Sequence, residues 1–340
     1  MRVRFSAALA CAAAVLLLTS GCGALTVQGS GAGGEVTVKA SGPLTLAVVP
    51  KAVGFDFWTS VRNGAECAAS KMTDVTIRWD GVTAETDVTG QVNLLQNILT
   101  RQVDGLVYAA TDAKVLVQLT QDALSRNVPV INIDSGTNPQ PANVPVFATD
   151  NIAAARKAAD LLADALGPGD HRVAFIPFQP GTVTNDQRTI GFKEGLAKHP
   201  NLKLVAEQSS NSDPTTALSV TENILTANPD LDGIFVANEP GVVGATNALN
   251  QTGKAGKIKL IGWDAAPDEV KGVISGTITA LVVQNPFRMG FDAVTAMVKT
   301  VRTGRIAPSE DTGVAFVTQR NINDPQIQAI LQPRCENPPG

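Results

Sequence analysis

Polar and aromatic side chains recur in this 340-residue sequence directly after short apolar runs. The first run, LTLAVV (44–49), is followed by Pro50-Lys51 and then by an aromatic pair. The candidate binding residues that such positions supply are Lys51, Phe57, Trp58, Asp134, Asn185, Asp186, Arg188, Asn238, Asp264 and Gln284. Carboxylates and amides accept hydrogen bonds from hydroxyl groups, cations donate to them, and aromatic faces pack against apolar C–H faces. This mixture suits a polyhydroxy ligand bound without covalent chemistry.

Each of these residues also has a simpler interpretation. Asp134 and Asp264 could cap the helix that follows, and Lys51 could be a solvated loop charge. Arg188 could form a surface ion pair with Asp186 or Glu194. The coincidence of so many such residues after successive apolar runs favours a binding site.

Composition argues against several other functions. The chain has two histidines and a net charge of −4, and it contains no block of lysine and arginine. Zinc sites, histidine-based triads and nucleic-acid surfaces are therefore disfavoured. No serine or cysteine nucleophile with a nearby base stands out, so we expect no catalytic residue, no metal and no cofactor.

The apolar runs alternate with segments of helical periodicity. Val75–Trp79 and Gly105–Ala109 are typical of short buried strands, and Asn151–Leu166 is typical of an amphipathic helix. Such alternation predicts an α/β protein with parallel sheets covered on both faces. About ten strand–helix units exceed one open sheet, so two doubly wound lobes are favoured over an eight-stranded barrel. Ligands of open α/β sheets bind at the carboxyl ends of the strands, where the candidate residues fall.

The N-terminus has the pattern of an export signal. Residues 1–22 combine an early pair of arginines, an apolar stretch and the sequence LTSGC, which predicts a lipoprotein signal peptide with Cys22 as the lipid anchor. Ordinary secretion with cleavage elsewhere is the alternative. Residues 23–42, rich in glycine, serine and alanine, are expected to form a flexible tether.

The cysteines can be assigned from the same reasoning. Cys11 falls in the signal and Cys22 is the lipid site, which leaves Cys67 and Cys335 in an exported chain. We predict that these two form a disulfide tying the C-terminal tail to the first helix, with two unpaired thiols as the alternative.

Several segments carry a resemblance to a known family. VVPKAVGFDFWTSVRNGAE (48–66), TVTNDQRTIGF (182–192), IFVANEPGVVGA (234–245), LIGWDAAPDEVKGVISG (260–276) and ALVVQNP (280–286) resemble motifs of the sugar-binding proteins of ABC importers. Those proteins have the type I periplasmic-binding fold of the ribose-binding protein, and residues 48–66 are similar to its autoinducer-2 and rhamnose branch. The resemblance covers about residues 44–320.

The resemblance implies a role for each candidate residue. Lys51 matches a ligand lysine, Phe57 and Trp58 match an aromatic pair against the sugar ring, and Asp134 matches a hydroxyl-binding aspartate. Asn238, Asp264 and Gln284 match an amide, a carboxylate and an amide, while Asn185, Asp186 and Arg188 compete for the polar positions of one loop. Ser135 and Ser212 stand where the ribose binder has an arginine and a closing phenylalanine, which favours another small sugar or polyol.

The resemblance also implies two lobes joined by three crossovers, near 148–151, 284–286 and 312–318. The expected lobes comprise residues 43–148 plus 286–315 and residues 149–285 plus 316–323, with a tail over 324–340. The implied protein is a monomer, lipid-anchored at the outer face of the bacterial cell membrane, that delivers its ligand to an ABC permease and its ATPase. A sensory binding protein for an autoinducer-like furanosyl ligand and a sugar-modifying enzyme are the alternatives.

Overall fold

The computed structural model describes residues 25–27 and 36–336. The predicted signal peptide and Cys22 lie outside these residues. In the described part, no helix is both long and apolar enough to cross a membrane.

The chain forms two lobes, each built on a six-stranded sheet. The first sheet has the order β13-β7-β6-β5-β3-β4, with strands β3 (Leu44–Val49), β4 (Val75–Trp79), β5 (Gly105–Tyr108), β6 (Val130–Ile133), β7 (Val146–Ala148) and β13 (Glu310–Asp311). The second sheet has the order β14-β12-β11-β10-β8-β9, with strands β8 (His171–Ile176), β9 (Leu202–Glu207), β10 (Gly233–Val236), β11 (Lys259–Trp263), β12 (Ala280–Gln284) and β14 (Val314–Val317). All neighbouring strands of the two sheets are parallel except β12 and β14.

Helices cover both faces of each sheet. The first lobe contains α1 (Asp56–Ser70), α2 (Val88–Thr100), α3 (Leu116–Ser125) and α9 (Pro286–Thr303). The second contains α4 (Asn151–Leu166), α5 (Val183–Leu196), α6 (Pro214–Ala227), α7 (Glu239–Gln251), α8 (Pro267–Ser275) and α10 (Pro325–Leu331). Each lobe accordingly has two apolar clusters, one on either side of its sheet. The doubly wound prediction is confirmed and the barrel alternative is excluded.

Local sequence explains these elements. The central strands β5 (GLVY) and β10 (GIFV) are buried at every residue, as continuous apolar runs between helix layers require. Helix α6 begins with Pro214 after Asp213, whose carboxylate accepts a hydrogen bond from the Thr216 amide at 2.6 Å. This is the N-cap and first-turn proline arrangement that starts helices.

Three segments connect the lobes: Ala148 to Asn151, Gln284 to Pro286, and Asp311 to Val314. The third lies slightly earlier than the expected boundary at residues 315 and 316, because Val314 and Ala315 already pair with β12 as part of β14. The residues between β13 and β14 include Gly313, whose φ of +85° is readily adopted only by glycine.

The ends of the described chain are more ordered than expected. Strand β2 (Val36–Val38) pairs with β1 (Leu25–Val27) inside the stretch expected to be a tether. Val38 is buried, and the Lys39 amide donates to the Val301 carbonyl at 2.9 Å, so the first lobe begins before residue 42. Contact with α9 orders this segment, and glycine content alone does not reveal that contact.

The expected C-terminal tail contains α10. Ile327, Ile330 and Leu331 pack against the core of the second lobe. Beyond α10, Cys335 forms a disulfide with Cys67 of α1, with 5.5 Å between their Cα atoms. The predicted pair is therefore present in the structure, and it links a segment packed on the second lobe to a helix of the first.

Candidate functional site

The carboxyl ends of both sheets face a cleft between the lobes. The cleft encloses a pocket lined by Lys51, Phe55, Phe57, Trp58, Glu85, Asp134, Phe178, Arg188, Asn238, Glu239, Pro240, Asp264 and Gln284. Eight of the ten sequence candidates are among these residues. The enclosed space is about 20 Å³, room for roughly one water molecule. A sugar-sized ligand therefore fits only when the lobes stand farther apart than in this structure.

The lobes meet directly in this closed arrangement. Lys51 Nζ of the first lobe donates to Thr184 Oγ1 of the second at 2.9 Å. The Asp56 and Phe57 amides, at the start of α1, donate to the two carboxylate oxygens of Glu239 at 2.9 and 2.8 Å. Negative charge at a helix N-terminus is favourable, so this contact favours closure.

Charged side chains from both lobes form a network on one side of the pocket. Lys51 Nζ lies 2.6 Å from Asp134 Oδ2, and Arg188 Nη2 lies 3.7 Å from Asp134 Oδ1. The three side chains are at most 4% exposed, so this is a buried ion-pair network. Buried charges require such partners.

Arg188 is held rigidly by the second lobe. Its Nε donates to Asn151 Oδ1 at 2.8 Å and its Nη1 to the Ala237 carbonyl at 2.7 Å. The guanidinium lies 4.1 Å from the Trp263 ring centre and 5.1 Å from that of Phe178. Burial lowers the pKa of Arg188, opposed by the charges of Asp264, Asp134 and Glu85.

Of the three loop candidates, only Arg188 lines the pocket. Asn185 is buried, and its Oδ1 accepts a hydrogen bond from the Phe178 amide at 2.9 Å. It therefore supports the loop that carries the Phe178 ring. Asp186 is exposed on the outer side of α5, which corrects its assignment to the site. Successive helical residues point about 100° apart, so neighbours in the sequence do not share a face.

A second polar group surrounds Asp264. Gln284 Nε2 donates to Asp264 Oδ1 at 2.8 Å, and the Glu239 amide donates to Oδ2 at 3.1 Å. Burial raises the pKa of Asp264 to about 6, against the opposing effects of Arg188 and Gln284. Burial, with the nearby Asp264 charge, raises the pKa of Glu239 to about 7. Among the described residues, Gln284 Oε1 is buried without a hydrogen-bond partner.

Two of the pocket aspartates have unusual backbones. Asp134 follows β6 with φ +56°, and Asp264 follows β11 with φ +80°. Left-handed conformations cost non-glycine residues free energy, and they concentrate at functional sites. The same strained geometry at equivalent strand ends in the two lobes aims one carboxylate from each lobe into the cleft.

Aromatic rings complete the walls. Phe57 and Trp58 form an edge-to-face pair with ring centres 4.8 Å apart, and Phe55 and Phe178 also line the pocket. Trp263, the last residue of β11, and Phe287, the second residue of α9, are buried. Trp263 reaches the site only through its stacking on Arg188.

Sequence reasoning misses two lining carboxylates, Glu85 and Glu239. Glu239 directly follows Asn238 at the end of β10, so the strand-end rule includes it. Glu85 lies in the loop after β4, six residues beyond the last residue of the strand, so the strand-end rule does not identify it. Within residues 25–27 and 36–336, no cluster of three or more metal-ligating side chains occurs.

Comparison with known proteins agrees with this architecture. Residues 46–305 match the family described as "Periplasmic binding protein domain". The chain is 30% identical over 268 residues to the D-allose-binding periplasmic protein of Escherichia coli (strain K12), covering 77% of this chain and 86% of the relative. It is 29% identical over 246 residues to the ribose import binding protein of Bacillus subtilis (strain 168), covering 72% of this chain and 78% of the relative.

Solved structures show the same relationship. An ABC transporter solute binding protein from Agrobacterium vitis with bound D-fucose superposes with a TM-score of 0.81 at 34% identity, over 84% of this chain and 99% of that one. A carbohydrate transporter solute binding protein from Agrobacterium radiobacter in complex with D-arabinose also gives 0.81, at 33% identity, over 85% and 99%. These relatives are solute-binding proteins rather than enzymes. The chain belongs to the periplasmic binding protein family and has the type I fold of its ribose-binding members.

Proposed function

We propose that this protein captures a neutral monosaccharide or small polyol between its lobes and delivers it to an ABC importer. The observation that carries the proposal is the pocket itself, in which both lobes supply hydrogen-bonding side chains and aromatic rings. Hydroxyl groups pair with carboxylates, amides and cations, and the C–H face of a sugar packs on a ring. The relatives named above bind allose, fucose and arabinose.

The charge of the pocket supports a neutral ligand. Its lining includes the carboxylates of Glu85, Asp134, Glu239 and Asp264 and the cations of Lys51 and Arg188. A sugar acid or sugar phosphate would bring further negative charge into a buried, predominantly acidic site, at a cost in desolvation and repulsion. Ser135 and Ser212, in place of an arginine and a phenylalanine, make ribose a poorer fit than other small sugars.

Capture follows from lobe closure. Lys51 and Asp134 belong to the first lobe, whereas Arg188, Asp264 and Gln284 belong to the second. A ligand contacts both sets only when the cleft is closed, so it shifts the population toward that form. The closed form is then the one that the permease recognises.

The proposed setting is the outer face of the bacterial cell membrane, with lipid-modified Cys22 as anchor and the mature protein a monomer. A Cys22→Ala variant should then move from the membrane fraction to the soluble fraction in the producing cell. Unchanged membrane association would contradict the anchor. Analytical ultracentrifugation should show a single species of monomer mass.

A thermal-shift and calorimetry panel tests the ligand class. Pentoses, hexoses, deoxysugars and C4–C6 polyols should include a ligand, whereas sugar acids and sugar phosphates should not bind. A ligand at a hundred times its Kd adds about 2.7 kcal/mol of stability. Asp264→Asn should abolish the shift, while Asp268→Asn, an exposed control on α8, should leave it intact. No shift with any neutral sugar would refute the proposal.

A further inference from the structure

Glu85 joins the two lobes at one end of the pocket. It lies in the loop between β4 and α2, is 7% exposed and lines the pocket. Trp58 Nε1 donates to Glu85 Oε1 at 3.1 Å, and Ser212 Oγ of the second lobe donates to Oε2 at 2.7 Å. Asn238 Nδ2 donates in turn to Ser212 Oγ at 3.0 Å.

Glu85 differs from Asp134 in its partners: its two donors in the described chain are neutral side chains, one from each lobe. Asp134 has Lys51, and Glu239 has two backbone amides at a helix N-terminus. In the described chain, no lysine, arginine or histidine nitrogen lies within ion-pair distance of Glu85; the pocket cations Lys51 and Arg188 pair with Asp134. The two neutral donors of Glu85 leave acceptor capacity on both oxygens, since a carboxylate offers about four lone-pair positions.

A buried carboxylate with spare acceptor capacity favours a ligand that brings a donor. We propose that Glu85, positioned by Ser212, is a specificity-determining residue that selects a sugar hydroxyl at this end of the pocket over hydrogen or a methyl group. The inference rests on the proposed function and refines it. Ser212 holds the carboxylate from the opposite lobe in the closed cleft.

The physical basis is the cost of an unpaired buried acceptor. A deoxy analogue would leave the Glu85 oxygen without the partner that water supplies in the open form. For one position of the sugar, removal of the hydroxyl should therefore weaken binding to the wild type about tenfold or more. The amide introduced by Glu85→Gln carries less acceptor capacity than the carboxylate, so the same deoxygenation should matter much less in that variant.

The test is a set of double-mutant cycles between protein and ligand. Isothermal titration calorimetry compares D-allose with its 2-, 3-, 4- and 6-deoxy analogues on the wild type, Glu85→Gln and Glu85→Ala. For one deoxy analogue, we expect the wild type to bind about tenfold more weakly than it binds D-allose. In both Glu85 variants this ratio of Kd values should fall to less than about threefold. The ratios for the other analogues should not change. Ser212→Ala should reduce the same discrimination, because it frees the carboxylate to move.

Asp80→Asn is the matched control, since Asp80 is an exposed carboxylate in the same loop. It should reproduce every wild-type ratio, and thermal melts should show that all variants fold. Equal weakening of all analogues by the Glu85 variants would overturn the inference and leave Glu85 with a role in closure alone. Failure of the wild type to bind D-allose or any other neutral sugar would instead overturn the proposed function.

Discussion

Lys51 and Asp134 form a buried pair whose members depend on each other. Removing Lys51 leaves the buried Asp134 carboxylate with Arg188, 3.7 Å away, as its remaining cation, and breaking a buried pair typically costs about 3–5 kcal/mol. Lys51→Met should therefore lower the free energy of unfolding by about that amount in urea titrations. Adding Asp134→Asn should restore a large part of the loss.

The exposed pair Lys271–Asp268 supplies the control, because its side chains are 75% and 83% exposed. Lys271→Met should cost less than about 1 kcal/mol. A Lys51→Met effect equally small would show that the pocket pair is solvated.

Asp264 and Glu239 should make stability depend on pH. Their pKa values are raised to about 6 and about 7, above those of an unfolded chain, so the folded protein binds more protons between about pH 4 and 7. Their contribution to stability is complete below about pH 4 and is lost as pH rises through about 6 and 7. Asp264→Asn removes the contribution of Asp264 to this pH-dependent free energy of unfolding, which is at most about 3 kcal/mol.

The measurement is the free energy of unfolding of wild type and Asp264→Asn at about pH 4.5 and about pH 7.5, on either side of the raised values. Relative to wild type, the variant should be more stable at the higher pH than at the lower. Asp268→Asn should show no such difference. A variant whose relative stability is the same at both pH values would contradict the raised pKa.

At the scale of single residues, most of the site can be predicted because parallel strands bring their carboxyl ends to one edge. Asp134 and Asp264 follow directly from that rule. Glu85 does not, because a loop separates it from β4 and tertiary contacts with Trp58 and Ser212 decide where it points. The assignment of Asp186 is wrong because a short polar sequence does not show which face of its helix is buried.

Among the elements, α1 and α9 are packed at backbone distance. A Cβ at Gly64 of α1 would meet the Phe287 carbonyl of α9, and one at Gly290 of α9 would meet the Val61 carbonyl of α1. These helices can approach each other so closely only because both positions are glycine. The N-terminal turn of α1 carries Phe57 and Trp58, so this packing also positions the aromatic wall.

Gly64→Ala should consequently destabilise the protein by about 1–3 kcal/mol or more, since backbone atoms must move. Asn63→Ala, the neighbouring exposed position on α1, should change stability by less than about 0.5 kcal/mol. Urea titrations measure both. A neutral Gly64→Ala would show that the two helices separate at little cost.

Elements with a strong hydrophobic pattern are predictable from the sequence, and elements without one are not. Long buried runs such as β8 and amphipathic helices such as α4 carry a clear period. Strand β13 has two residues, and the first three residues of β14 are only half-buried, so neither gives a clear apolar run and the expected third crossover falls too late in the chain. Strand β2 depends on contacts with α9, which sequence periodicity does not report.

The whole molecule is bound by three crossovers and one disulfide. Non-reducing digestion followed by mass spectrometry should recover a peptide pair joining Cys67 and Cys335. Cys335→Ser should lower the free energy of unfolding by about 2–4 kcal/mol, because the bridge closes a loop of 268 residues. Recovery of Cys67 as a free thiol from the untreated protein would contradict the bridge.

The bridge has a consequence for the rate and strength of sugar capture. From Leu331 on the second lobe to Cys335 the chain spans about four residues, at most about 14 Å when extended. Widely open arrangements of the lobes are thereby removed from the ensemble, which reduces the entropy lost on closing. We expect the disulfide to limit how far the lobes can open. Under oxidising conditions the cleft would stay close to its closed form. A reductant would slow capture without altering any group that contacts the sugar.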